Sequence, residues 1–103
     1  MGRNESSECF VSVDVETSGP IPGYHSLLSL GACIVGQTEK HFYAEFKPQT
    51  PHVIPEALAV TGLDLAKLET TGEEPVVAMK RFRDWAQAIA DSSSLVFVGF
   101  NAG

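Results

Sequence analysis

The chain has 103 residues, 44% of them hydrophobic and 19% charged, which bounds it to one globular domain with a modest core or to a piece of one. A formal net charge of −6 argues against indiscriminate, charge-driven binding along nucleic acid. No run approaches the ~18 apolar residues that would cross a bilayer, and the polar start Gly2-Arg3-Asn4-Glu5-Ser6-Ser7-Glu8 lacks the basic and apolar regions of a signal peptide. The expectation is an intracellular, cytoplasmic protein without a membrane partner, with residues 1–8 as a disordered tail. Cys9 and Cys33 lie in apparent strands with no CxxC or His-rich neighbourhood, and are expected as buried free thiols.

The first element spans Cys9 to Thr17. Phe10, Val11, Val13 and Val15 are strand formers, and the Ser18 to Gly23 stretch, rich in Gly and Pro, ends the strand in a sharp turn. Leu27 to Val35 is a second strand, with Leu28, Leu30, Ala32 and Ile34 on one face. Leu27, Cys33 and Val35 make its other face apolar, which predicts a central strand buried on both sides. Gly36 to Glu39 reads as a hairpin turn into a third strand, Lys40 to Lys47. There Phe42, Ala44 and Phe46 alternate with His41, Tyr43 and Glu45 until Pro48 and Pro51 end it.

Pro55 opens a short helix through Val60 that Gly62 stops, and Asp64 caps another turn through Leu68. Thr70 to Glu74 is a polar linker. A longer helix is predicted from Pro75 to Ala90, with Ala78, Phe82, Trp85, Ala86 and Ile89 on its buried face. Leu95 to Phe100 is a fourth, strongly apolar strand that runs into Asn101. The order predicts an α/β mixed sheet: three antiparallel strands, a right-handed crossover helix and a fourth strand parallel to the first. That topology brings Asn101 near the end of the first strand, where ligands of open α/β sheets bind.

Two acids, Asp14 and Glu16, stand at that strand end. Side chains alternate across a strand, so both point to one face with Cβ atoms roughly 7 Å apart. Burying either charge uncompensated costs several kcal/mol, so such a pair calls for a cation, a partner or water. A divalent cation and a wet edge strand both satisfy that demand.

The segments FVSVDVETSG, Ile54-Pro55-Glu56-Ala57-Leu58 leading to Val60-Thr61-Gly62-Leu63, and VFVGFNAG carry a resemblance. Together they resemble the DEDD 3′-5′ exonucleases, with a catalytic histidine (DEDDh), of ribonuclease H-like fold. This is the superfamily of ribonuclease T, oligoribonuclease and the proofreading epsilon subunit of DNA polymerase III, and the resemblance runs from Cys9 onward. It implies that Asp14 and Glu16 are catalytic and bind two cations, Mg²⁺ or Mn²⁺. Such ions favour carboxylate oxygens, and two of them ~3.5–4 Å apart can serve both sides of a phosphodiester. It implies the 3′ end of single-stranded DNA or RNA as the partner, because no residue here evidently reads a 2′-hydroxyl. Thr17 and Ser18 fall where the family meets the terminal nucleotide, or are turn residues. Thr61, Gly62 and Leu63 match the segment that walls the groove beside the terminal base, or are a helix stop. Asn101 matches the start of the family's second box.

The remainder of that box, an aromatic followed by Asp, and the third box with its His and last Asp, are not among these 103 residues. His25, His41 and His52 all lie before the fourth strand and are expected to pack or face solvent. The chain is therefore expected to be the N-terminal part of a truncated exonuclease domain, inactive alone, with an exposed sheet edge that favours self-association. Three other readings meet the same residues. A calcium loop starting at Asp14 puts His25 where the bidentate Glu belongs and follows a strand rather than a helix. An aspartyl phosphatase wants a second Asp where Glu16 stands. A noncatalytic fragment or interaction domain of the same fold needs neither change.

Overall fold

The computed structural model describes residues 7–101, arranged as β1 (Glu8–Thr17), β2 (Leu27–Ile34), β3 (Gln37–Glu45), α1 (Pro55–Thr61), α2 (Leu65–Thr71), α3 (Pro75–Ala90) and β4 (Ser94–Asn101). Of the tail expected over 1–8, residues 1–6 lie outside the described residues, as do Ala102 and Gly103. Glu8 already pairs with Ser94. The strands form one mixed sheet in the order β3-β2-β1-β4. β1 runs antiparallel to β2, β2 antiparallel to β3, and β4 parallel to β1, as expected.

Alternation decides which face is covered. Val11, Leu30, Ala32, Phe42, Ala44 and Phe46 form the core with Ala78 of α3, and Phe82, Trp85, Ile89 and Leu95 pack against it. Fully burying a Val, Leu or Phe side chain of this core stabilises the fold by about 1.5–3 kcal/mol. The rings interlock, with Phe42 and Phe82 centroids 5.4 Å apart and Phe82 and Phe97 5.9 Å apart. Arg81 lies over the Phe42 ring at 4.9 Å while its guanidinium pairs with Glu73. The hydrogen bond from Arg81 holds the Glu73 carboxyl below its ordinary range. Because α3 occupies this face, the opposite face at the carboxyl end of β1 stays free for chemistry.

Several boundaries depart from the sequence reading. The hairpin turn is the tight pair Val35-Gly36, with Gly36 at φ +86°, so β3 begins at Gln37. Glycine takes that left-handed conformation without steric penalty. β2 is closely covered on the face of Leu28, Leu30, Ala32 and Ile34, whereas Leu27 and Cys33 are half-buried and Val35 is exposed. Cys9 and Cys33 are free thiols, half-buried rather than buried. The segment read as linker is partly helical, since α2 continues to Thr71.

The short helices keep their expected devices. Pro55 sits in the first turn of α1, and Gly62 closes it in the left-handed conformation at φ +73°. The Asp64 carboxylate accepts hydrogen bonds from the Ala66 and Lys67 amides at the start of α2. These caps fix Thr61 to Leu63 as a rigid junction beside β1.

Candidate active site

Register assembles the site. Asp14 lies opposite Gly31 of β2, which lies opposite Tyr43 of β3, while Glu16 lies opposite Ser29, which lies opposite Glu45. Pairing slips immediately after Glu16: Thr17 partners Leu27 and leaves Leu28 as the extra residue, a bulge at the point where β1 departs from the sheet. Asp14 is exposed and Glu16 half-buried. Both line a cavity of about 180 Å³ with Ser29, Gly31, Tyr43, Thr61 and Leu63. The acids predicted from alternation thus meet the α1–α2 junction across open space.

A larger cleft of about 850 Å³ adjoins this cavity, sharing Glu16 and Thr61 in its wall. Val15, Pro20, Ile21, Leu27, Ala57 and Val60 give it an apolar lining, and Thr17 and His25 add polar groups. The loop after β1 shapes its outer wall. Gly19 presses against the His25 ring, where a Cβ would come within 2.4 Å, and the Ile21 amide donates to His25 Nδ1 at 3.0 Å. His25 is thus a wall residue held by packing, with Nδ1 as an acceptor.

The predicted residues divide by position. Thr17, Thr61 and Leu63 reach cavity surfaces. Thr61 also spends its hydroxyl on the junction, donating to the Leu58 carbonyl at 2.7 Å and accepting from the Leu63 amide at 3.0 Å. Gly62 shapes the junction and lines neither cavity. Ser18, expected at the terminal nucleotide, is fully buried, donating to the His52 carbonyl at 3.0 Å and accepting from the Ser26 amide at 2.8 Å. Its hydroxyl ties the loop to the segment before α1. The backbone of Asn101 pairs with Val15, between the two acids in register; the Asn101 side chain lies outside the described residues.

Tyr43 and Ser29 belong to this surface and were read from the sequence only as strand positions. The Tyr43 hydroxyl donates to Glu45 Oε2 at 2.7 Å. Its ring is 53% exposed. Desolvation of the covered part, the Glu45 hydrogen bond and the charges of Glu45 and Glu16 push the phenol above its ordinary pKa. It is therefore a neutral donor throughout the physiological range.

No lysine or arginine lines either cavity among the described residues. A phosphate brought to Asp14 and Glu16 would meet like charge unless a cation intervened. The donor set fits a hard divalent ion in kind, since its oxygens are carboxylate and open to solvent. Among the described residues no third His, Cys, Asp or Glu completes a ligand cluster. The pair supplies part of a coordination shell and leaves the rest to water, phosphate oxygens or further ligands.

No family model matches the chain. Over 96 residues it is 51% identical to the 3′-5′ DNA exonuclease Cap18 of Escherichia coli, an alignment that covers 92% of this chain and 51% of that protein. The chain thus spans about half the length of this curated relative. Among solved structures, cell-death related nuclease 4 superposes with a TM-score of 0.70 at 15% identity, covering 91% of this chain and 35% of that one. The nuclease domain of 3′hExo, a DEDDh family member bound to rAMP, gives 0.69 at 13%, covering 98% and 55%. The zinc-bound complex of E. coli exonuclease I with single-stranded DNA gives 0.69 at 17%, covering 91% and 20%. The mixed α/β sheet expected from the strand order, and the ribonuclease H-like fold that the resemblance implies, are therefore present. In fold the chain is similar to these nucleases, and in sequence to the 3′-5′ DNA exonuclease Cap18.

Proposed function

We propose that the chain contributes the first metal-binding box and the terminal-nucleotide cleft of a 3′-5′ exonuclease acting on single-stranded DNA. One observation carries the reading: two carboxylates share a face at the end of β1, beside an apolar cleft that can hold a base and with no lysine or arginine among the described lining to meet a phosphate. Asp14 and Glu16 would hold the divalent cations, with Mg²⁺ or Mn²⁺ favoured by an all-oxygen donor set. Held there, such ions would supply the Lewis acidity that phosphodiester hydrolysis needs at the attacking water and at the leaving oxygen. The chain's own residues place the 3′ end: Val15, Ile21 and Val60 offer apolar surface to a base, and Thr61 and Leu63 confine it beside the acids. DNA is favoured over RNA by the name of the 51%-identical relative.

Cytoplasmic residence belongs to the same reading; no helix of the described residues is long and apolar enough to cross a membrane. So does self-association through β4, one of the two edge strands among the described residues, which exposes Phe97 and Val98. A noncatalytic role of the same fold would use the cleft without turnover.

A graft separates the two readings. With these 103 residues replacing the matching segment of the Escherichia coli relative, the hybrid should shorten 5′-labelled single-stranded DNA from its 3′ end in Mg²⁺ or Mn²⁺. The 103-residue chain alone should show no measurable trimming, because hydrolysis needs more ligands than its two acids supply. A folded hybrid that binds DNA and never trims it would favour the noncatalytic reading; trimming by the short chain alone would mean that its residues suffice.

A further inference from the structure

Beside the cleft, and unused by the chemistry above, Tyr24 and His52 stack face to face. Their centroids are 3.9 Å apart and their planes 7° from parallel, with Tyr24 49% exposed and His52 also exposed. The His25 ring meets Tyr24 edge-on at 5.0 Å. Exposed aromatic rings on loops ordinarily keep rotamer freedom; here each ring packs on the other, and the backbone that carries them is tied down. The Thr50 hydroxyl donates to the Tyr24 carbonyl at 2.6 Å and accepts from the His52 amide at 3.3 Å, and Ser18 donates to the His52 carbonyl at 3.0 Å. Gly23, His25 and Thr50, which flank these residues in sequence, all line the large cleft. The pair is therefore a preorganised aromatic surface at the cleft rim.

We infer that the Tyr24–His52 pair is a stacking platform for a nucleobase of the strand whose 3′-terminal nucleotide lies in the cleft. The inference deepens the exonuclease reading and rests on it. Electrostatics favours stacking over phosphate contacts here: the chain carries a net charge of −6, so affinity for a strand has to come from cations and base faces. Every base has a π-face, so such a platform holds a strand without reading its sequence, as an enzyme stepping along DNA requires. His52 adds a polar ring edge, and the Ser18 bond couples the platform to the loop that walls the cleft.

The test uses the full chain with Mg²⁺ and 5′-fluorescein-labelled hexanucleotides, read by anisotropy, with dTMP as competitor to report the terminal pocket alone. An abasic nucleotide is moved through the strand one position at a time. One position upstream of the 3′ end should weaken wild-type binding by roughly 5- to 100-fold, the range of a single base–aromatic stack. In Tyr24→Ala the same abasic strand should bind no worse than the intact one, while dTMP competes as in wild type and Tyr24→Trp keeps the wild-type profile. His52→Ala, which removes an exposed ring, should flatten the profile too. Deoxy and ribo strands run in parallel show whether the base alone or also the sugar is recognised. If the abasic profile is the same in wild type, Tyr24→Ala and His52→Ala while all bind the intact strand, the platform is wrong and the exonuclease reading stands. Equal losses for hexanucleotide and dTMP in Tyr24→Ala would make the pair a structural support and overturn the platform. Failure of the wild-type chain to bind any strand or dTMP would overturn both.

Discussion

Replacing Asp14 or Glu16 by alanine in the graft is expected to lower 3′-end trimming by on the order of 10³-fold or more, equivalent to about 4 kcal/mol of transition-state stabilisation. The two acids occupy one face at the end of β1 and line one cavity, with no third acid, cysteine or histidine clustered with them among the described residues. Each therefore carries a large share of cation binding, and neither has a neighbour to take over. Groups that act as a unit are non-additive, so the double variant should fall little further than either single one. Tyr43→Phe should cost far less, because the neutral phenol is hydrogen-bonded to Glu45 and loses only that donor. Glu39→Ala, an exposed acid near the β2–β3 turn, should leave trimming unchanged. Initial rates on a labelled oligonucleotide at saturating Mg²⁺ measure all of these, and equal trimming with both acids removed would place the metal site elsewhere.

Gly72→Ala is expected to be the most damaging single-methyl change to the fold. A Cβ on Gly72 would lie 2.5 Å from the Lys47 nitrogen, 2.5 Å from the Phe46 carbonyl carbon and 2.6 Å from the Leu68 carbonyl oxygen. All three are backbone atoms and cannot swing aside. The adjoining residue locks the same place, since the Glu73 amide donates to the Glu45 carbonyl at 2.8 Å and the Lys47 amide donates to the Glu73 carbonyl at 2.9 Å. Relief of the overlap must shift the end of β3 or of α2, and Phe46, one of the largest fully buried side chains, moves with it. Overpacking of this kind costs about 3 kcal/mol, a large part of the ~5–15 kcal/mol that stabilises a domain. For a chain of this length the melting temperature should fall by on the order of 15 °C. Thermal unfolding followed by circular dichroism would check it, with Gly23→Ala as a contrast, since open space surrounds that position and only its positive φ resists substitution.

What the sequence made legible was local. The α3 boundaries and its buried face follow from three- and four-residue spacing, and Pro55, Gly62 and Asp64 punctuate α1 and α2 as their chemistry dictates. Asp14 and Glu16 share a face because strands alternate, whatever packs around them. The illegible parts are those set by distant partners. Ser18 looks like any turn serine until Ser26 and His52 are brought to it, and then its hydroxyl is consumed in the loop. Tyr43 reads as the exposed side of β3, and only the register through Gly31 carries it to Asp14. Gly72 reads as linker, because the backbone that forbids a side chain there comes in part from Phe46 and Lys47, just past the end of β3. The turn reads two residues wide of its centre because the polar Gln37, Thr38 and Glu39, which look like turn residues, form the exposed start of β3. The large cleft has no motif; it is the space between the loop after β1 and α1.

Asp14 and Glu16 are proposed to hold a divalent cation on the face of the sheet opposite α3. Paramagnetic broadening by substoichiometric Mn²⁺, read from amide resonances of the 103-residue chain, tests it without requiring turnover. Broadening should centre on residues 14–16 and extend to Ser29, Gly31, Tyr43 and the Thr61–Leu63 junction, the residues around the acid cavity. Binding should be loose, because two carboxylates leave most of an octahedral shell to water. Mg²⁺ should compete, and Asp14→Asn should abolish the pattern. Broadening centred instead on another acidic stretch, such as Glu73-Glu74, or surviving unchanged in Asp14→Asn, would contradict the account.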